Sequence, residues 1–360
     1  MLHFKLEFTS YSIIIIMRFP KQAFCIVIFI WALSLPVSGQ KKGITPLSLD
    51  KITPEVLKLS SLGNIELGAP GGVTFYDDSH ILITDRRAKA AISLVDINTG
   101  KVVDSLLRGR GPGESLSPWT VTVSDDIIYI DDSQRGGKLL VLRPKGGKLL
   151  ALDHEIKING NYLRIIPNPS GGFISLPYTE ARFEILDANG ISCGYGGSFP
   201  TIKGDNSLVS NTSAQSMIAM SPDGKHLCSS YLMMNYLEIY SNSLKSLIRL
   251  WGPDKIVPQV KTSDVTSFLE PKTKVYSSIS ASNGGFAVGY IGKLEERDFA
   301  KAGTKYLLIF DWEGHCLKVF ELPVEISYFD INWRTNRLIV ITKEADPSVM
   351  TAVIKGLPND

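Results

Sequence analysis

The chain is poor in the residue types that make catalytic and metal signatures. It has 5 histidines and 4 cysteines in 360 residues. Neither a Gly-x-Ser-x-Gly nor a His-Glu-x-x-His occurs, so nucleophile-elbow hydrolases and zinc proteases of that type are excluded. An excess of either charge is also missing, with 38 Lys+Arg against 36 Asp+Glu. Without residues 1–39 the balance is 35 of each. A neutral chain carries no electrostatic footprint for nucleic acid. At 44% apolar and 21% charged residues, disorder is excluded too.

Long uncharged runs are scarce, and the one that matters lies early. Residues 22–35 are apolar but for Gln22 and Ser34, with Arg18 and Lys21 before them and Pro36-Val-Ser-Gly39 after them. Basic start, apolar middle and small-residue end describe a secretory signal peptide. Residues 1–39 are assigned to it, with Met17 as the true start and cleavage after Gly39. The alternative is a retained anchor, because the uncharged run approaches the length of a short span. No cysteine follows at a lipidation position. The mature protein is expected in the periplasm or at the cell surface, as a monomer with no membrane span. Its cysteines, Cys193, Cys228 and Cys316, are odd in number and match no zinc spacing. They are expected to be small buried hydrophobes.

Amphipathic helices are nearly absent, and short strands joined by polar turns take their place. Six turns of one kind fall near Asp77, Asp125, Ser170, Asp223, Asn283 and Thr335, spaced by 45 to 60 residues. A second series, such as Asp96-Ile-Asn-Thr-Gly100 and Asp311-Trp-Glu-Gly314, falls between them. Gly, Asn and Asp supply the backbone angles such turns need. Four strands per unit at this period predict an all-β fold, a six-bladed β-propeller of four-stranded antiparallel blades. It is placed at residues 54–358, behind an N-terminal extension at 40–53. Glu55–Leu59 alternates as a strand does and is expected to supply the last blade's fourth strand. Two ordinary β-sandwiches are the alternative, but they demand no fixed period.

Two segments resemble a known family. Ser221-Pro-Asp-Gly-Lys-His-Leu227 resembles the strand-turn-strand repeat of TolB-type propellers. Leu107-Arg-Gly-Arg-Gly-Pro-Gly-Glu114 is similar to a signature of the TolB-like six-bladed propeller proteins of Gram-negative bacteria. The resemblance implies a fold and an exported address. It implies no catalytic residues.

Blade topology sorts the loops. Short turns share one face, and the long segments Gly194–Ala214, Trp251–Lys274 and Ile291–Lys305 share the other. Loops of that length are uncommon unless they have a function. An acid closely followed by Arg recurs on the long-loop face at Asp85-Arg86-Arg87, Asp131 to Arg135, Glu180-Ala-Arg182 and Glu295-Glu-Arg297. Such residues either offer forked donors to a polar ligand or staple neighbouring blades. The crossover Gly109–Glu114 is no phosphate loop, since no Lys-Ser/Thr follows and Pro112 lacks a donor. Its glycines permit a close crossover, with Glu114 accepting backbone N–H groups.

The binding candidates are therefore Arg87, Arg110, Glu114, Asp131, Arg135, Arg182, Trp251 and Arg297. Phe199, Phe268 and Phe299 join Trp251 as aromatic anchors. The expected partner is a protein or a polar, carbohydrate-like ligand, and no cofactor or metal is expected. The alternative is a propeller enzyme acting on carbohydrate or a lactone. Asp85, Asp131, Glu180 or Glu296 would then be its acid–base carboxylates.

Overall fold

The computed structural model describes residues 8–9, 12–13, 45–63, 65–132, 134, 137–200, 211, 214–253, 259–263, 266–270, 274–292 and 302–358. The chain forms two compact units, Met1–Lys41 and Lys42–Asp360. In the first, Phe8–Thr9 pairs with Ser12–Ile13. The rest of the expected signal peptide lies outside the described residues.

In the second unit the described elements are strands, arranged as consecutive antiparallel meanders. The first sheet runs Pro70–Phe75, His80–Asp85, Ala90–Asp96 and Lys101–Leu107. The second runs Pro118–Ser124, Ile127–Asp132, Lys138–Lys145 and Lys148–Lys157. The third runs Tyr162–Pro167, Phe173–Pro177, Phe183–Leu186 and Ser192–Gly196. The fourth runs Ser216–Met220, His226–Tyr231, Tyr236–Ser241 and Ser246–Trp251. The remaining sheet is continuous. It opens with Tyr276–Ala281, Gly285–Tyr290 and Thr304–Asp311, passes into the long strand Cys316–Asn332, and ends with Arg337–Thr342 and Val349–Val353. The long strand serves twice. Its residues 316–321 edge one meander, and its residues 326–332 open the next.

All six turns expected from the sequence separate the first and second strands of successive meanders. Local chemistry explains them. Asp125 and Asp126 both take positive φ, at 50° and 61°, which is the two-residue hairpin turn that matches strand twist. Asp77 and Asp187 accept backbone N–H groups of their own turns. Second and third strands are apolar on both faces, as Ile81–Ile83, Leu139–Leu142 and Leu338–Ile341 show. Each is covered by a neighbouring sheet on either side. This is a β-propeller.

The N-terminal segment differs from expectation. Glu55–Val56 does not supply the final sheet's last strand. It lies parallel to Phe320 and Glu321, on the outside of the long strand. Ser60–Ser61 pairs instead with Met350 and Thr351. Upstream, Thr45–Pro46 pairs with Leu250 and Trp251, and Leu47, Leu49 and Ile52 pack into the core. The stretch set apart as an extension is thus bound to the propeller. The segment between Trp251 and Lys274 also holds an unforeseen hairpin, Gln259–Ser263 with Thr266–Glu270. Cys228 is buried and Cys316 half-buried as expected of small hydrophobes, but Cys193 is exposed.

Candidate functional site

The first strands of the meanders converge on one cavity of about 780 Å³. Its wall takes residues from Pro70–Phe75, Pro118–Ser124, Tyr162–Pro167, Ser216–Met220, Tyr276–Ala281 and Cys316–Asn332. Hydroxyls dominate the polar part, including Thr122, Ser277, Ser278 and Ser327.

Five of the inner strands share an irregularity, and Ser216–Met220 pairs without one. Pairing slips between Pro70 and Gly72, Pro118 and Thr120, Tyr162 and Arg164, Tyr276 and Ile279, and Ile326 and Tyr328. Bulges re-aim side chains at sheet rims and beside binding sites. Here they stand where these five strands enter from the long-loop face. The cavity mouth on that face presents Arg86, Trp119, Arg164, Gln215 and Lys274. None of these five is among the binding candidates picked out from the sequence. The two sets meet only through neighbours such as Arg87 and Asp131.

Contacts link the mouth residues around the axis. The Arg86 guanidinium lies over the Trp119 ring, 5.6 Å from its centroid. Gly71 makes room for it, because a Cβ there would stand 3.3 Å from Arg86 Nε. Trp119 Nε1 donates to the Leu163 carbonyl at 2.8 Å, and its ring is 44% exposed. Arg164 Nε donates to the Ser216 carbonyl at 3.3 Å, while its two Nη groups donate to no described residue. The Val275 N–H continues the circuit to the Leu232 carbonyl. Asp330 completes it, accepting from Ser280 on one side and from Thr74 and the Phe75 N–H on the other.

Burial strains the charges at the mouth. It pushes the Asp131 carboxyl up to about 6, with Asp132 adding and Arg164 opposing. It pulls Arg164 down to about 10 against the attraction of Asp131 and Tyr328. Lys274 is pulled down to about 8 by burial and by Lys343. Lys274 makes no hydrogen bond or ion pair with any described residue.

The other candidates hold the scaffold. Asp85 is buried and accepts the N–H groups of Gly68, Ala69, Arg87 and Ala88. Burial raises its carboxyl, but these bonds outweigh it and hold the group below the usual carboxylate range. Asp132 is its counterpart one sheet on, accepting from Ser115 Oγ and the N–H groups of Leu116, Ser117 and Gln134. Asp85 and Asp132 therefore fasten crossovers to loops through backbone amides. Changing Asp132 to Ala should cost about 2–3 kcal/mol, from orphaned donors in a buried place. A urea melt within about 0.5 kcal/mol of wild type would contradict this.

Arg108 donates to the carbonyls of Asp85, Ala88 and Leu116. Glu114 accepts the Gly111 N–H at 2.7 Å, and a Cβ on Gly109 would meet its carboxylate. The glycine-rich crossover is thus folded onto its own glutamate, which Arg110 accompanies at the surface. Arg182 is fully buried between sheets. It donates to Asn211, Ser216 and Ser229 and lies 3.9 Å from Glu238. Trp251 stacks on Tyr236, and both it and Phe199 are partly buried against the core. Glu180 is exposed. Arg135, Arg297, Glu296, Phe299 and the Phe268 side chain lie outside the described residues.

Comparison with known proteins agrees with this architecture. A solved structure named a putative exported protein of Bacteroides fragilis superposes with a TM-score of 0.57 at 14% identity, covering 86% of this chain and 98% of that one. The WD40 repeats of RRP9 give 0.53 at 11% identity, covering 85% of this chain and all of theirs. At these identities the likeness is one of fold. Among curated proteins none matches the sequence. A family model, TolB-like 6-blade propeller-like, matches residues 61–333. With inner strands meeting at one cavity and the match spanning most of its length, the chain belongs to the TolB-like 6-blade propeller-like family.

Proposed function

We propose that this protein is an exported, non-catalytic propeller of six blades that binds a small ligand at the long-loop mouth of its central cavity. In this reading Met17 starts the chain and the signal peptide ends at Gly39. The protein works in the periplasm or at the cell surface, and Ser60–Ser61 closes the last blade. The similar structure from Bacteroides fragilis, named a putative exported protein, supports the address. One observation carries the binding role: the exposed Trp119 indole, the Arg164 guanidinium and the Lys274 ammonium line one cavity of about 780 Å³. That size lies within the range of small-molecule sites. The candidate carboxylate Asp85 is occupied by backbone amides, which favours binding over acid–base chemistry.

The test is a thermal-melt screen of the purified protein against neutral, cationic and anionic metabolites. A ligand present at about 100 times its Kd should stabilise the fold by about 2.7 kcal/mol, and Trp119→Ala should weaken the response. If no small molecule of any charge moves the melt, the reading fails.

A further inference from the structure

The cavity mouth has a charge pattern that narrows the ligand. Its cations come from three separate sheets: Arg86 after the second strand of the first, Arg164 within the first strand of the third, and Lys274 just before Tyr276–Ala281. All three line the same cavity. Lys343, from the loop after Arg337–Thr342, adds charge beside Lys274, while its own Nζ donates to the Ala302 carbonyl. Asp131 is the carboxylate that acts on Arg164, and the charge of the neighbouring Asp132 acts on it in turn. Asp330, deeper in the wall, already accepts from Thr74, Phe75, Ser280 and Ile331. Lys274 and Lys343 repel each other in a half-buried place, which an anion there would relieve. The Arg164 Nη groups and the whole Lys274 ammonium have no acceptor among the described residues. The Trp119 ring adds a flat apolar surface next to Arg86.

We propose, resting on the binding role above, that the ligand is a small cyclic anion, a sugar carboxylate or sugar phosphate. Its charged group is held by Arg164 and Lys274, and its ring lies on Trp119. Arg86 keeps the indole in place and closes the cationic rim. Carboxylate and phosphate both suit a guanidinium fork and an ammonium that line one cavity. Hydroxyls of Ser277, Ser278 and Ser327 meet the uncharged part.

The pH dependence follows from the two displaced groups on the rim. Lys274 loses its proton as pH rises through about 8, so affinity falls there. Asp131 gains one as pH falls through about 6, which frees Arg164 from its competitor, so affinity rises there.

The experiment is calorimetric titration of the purified protein with glucuronate, glucose 6-phosphate, inorganic phosphate and glucose at pH 5.5, 7 and 9. One or both sugar anions should bind at least about tenfold tighter than glucose. Which one wins separates carboxylate from phosphate. Glucuronate binding should weaken from pH 5.5 to 9, and glucose 6-phosphate, which gains its own second charge at about pH 6, should weaken from pH 7 to 9. Lys274→Gln and Arg164→Gln should each lose about tenfold or more, and Asp131→Asn should tighten binding. If Arg164→Gln fails to fold, Lys274→Gln still decides, because removing an unpartnered, repelled ammonium should not lower the melting temperature of the free protein. Equal binding of glucose and the sugar anions would overturn the anion assignment and leave the binding role standing. Anion binding indifferent to both substitutions would place the site elsewhere. Inorganic phosphate binding as tightly as either sugar anion would remove the role given to Trp119. A protein that binds none of the probes, but melts higher with a cationic or neutral metabolite, also overturns the assignment alone. Failure with every molecule tried takes the binding role with it.

Discussion

Replacing Glu238 with alanine is expected to lower stability by about 3–5 kcal/mol, the usual result of stranding a buried charge. Glu238 is fully buried in the strand Tyr236–Ser241. Its Oε2 accepts from Tyr231 at 2.7 Å and Tyr240 at 2.6 Å, and its Oε1 accepts from Arg249 Nε at 2.6 Å. Arg182, from the neighbouring sheet, approaches to 3.9 Å and is itself fully buried. Burial raises both tyrosines, and the glutamate charge adds to it, so they stay protonated and donate. Without the carboxylate, Tyr231 loses its acceptor, Tyr240 keeps only the Ser198 carbonyl at 3.4 Å, and Arg182 keeps its charge with the Asn211 amide, two hydroxyls and aromatic faces. Arg249 reaches solvent and suffers less. Urea melts of Glu238→Ala, Arg182→Met and the double variant measure the coupling. Arg182→Met should cost less by about 1–3 kcal/mol when Glu238 is already absent. Additive losses, or a single Glu238→Ala loss below about 1 kcal/mol, would show that this network does not hold the two sheets.

Arg182 also shows where reading from sequence stops. The turns were legible because their chemistry is local: Asp77, Asp187 and Asp223 each bind amides within four residues. The repeat was legible because turns recur once per unit. Arg182 looked like a rim residue because it ends a polar loop. Its surroundings depend on Ser229, 47 residues away, and on a neighbouring sheet that no local pattern reveals. The same holds for Glu55–Leu59. Its alternation is real strand patterning, but the pairing partner is chosen by where the chain arrives, and Ser60–Ser61 carries no apolar signal at all. Asp131 and Asp132 look identical as a doublet. Alternation along the strand sends one to the crossover amides and the other toward Arg164. A faint signal for the mouth did exist: a lone Arg164 between Leu163 and Ile165, at the start of an inner strand. The bulges that turn such residues inward leave no mark in the sequence.

Asp330→Ala should be the other severe substitution, at about 3–4 kcal/mol, from several buried donors left without an acceptor. Asp330 lies near the end of the long strand Cys316–Asn332. Its Oδ2 accepts from Thr74 Oγ1 and the Phe75 N–H, residues 256 and 255 positions earlier, while its Oδ1 accepts from Ser280 and the Ile331 N–H. One side chain thus joins three consecutive meanders at the junction of the chain's two ends. Asn is no rescue. Each carboxylate oxygen takes a backbone N–H that cannot turn away, so either orientation of the amide sets its NH2 against a donor. Asp330→Asn should therefore lose about 2 kcal/mol, against about 1 kcal/mol for Thr74→Val or Ser280→Ala. Burial also raises this carboxyl in spite of its four bonds. The folded state then binds the proton more tightly than the unfolded chain, so this group alone favours folding more as pH falls. Asp85, whose carboxyl is lowered, acts in the opposite sense. Val73 and Phe75 pack against Ile339 and Ile341 across this junction. Amide exchange in those four residues should quicken in Asp330→Ala before it changes in the third and fourth sheets. Uniform quickening across the propeller would mean that Asp330 supports the whole fold and not the seam between its ends.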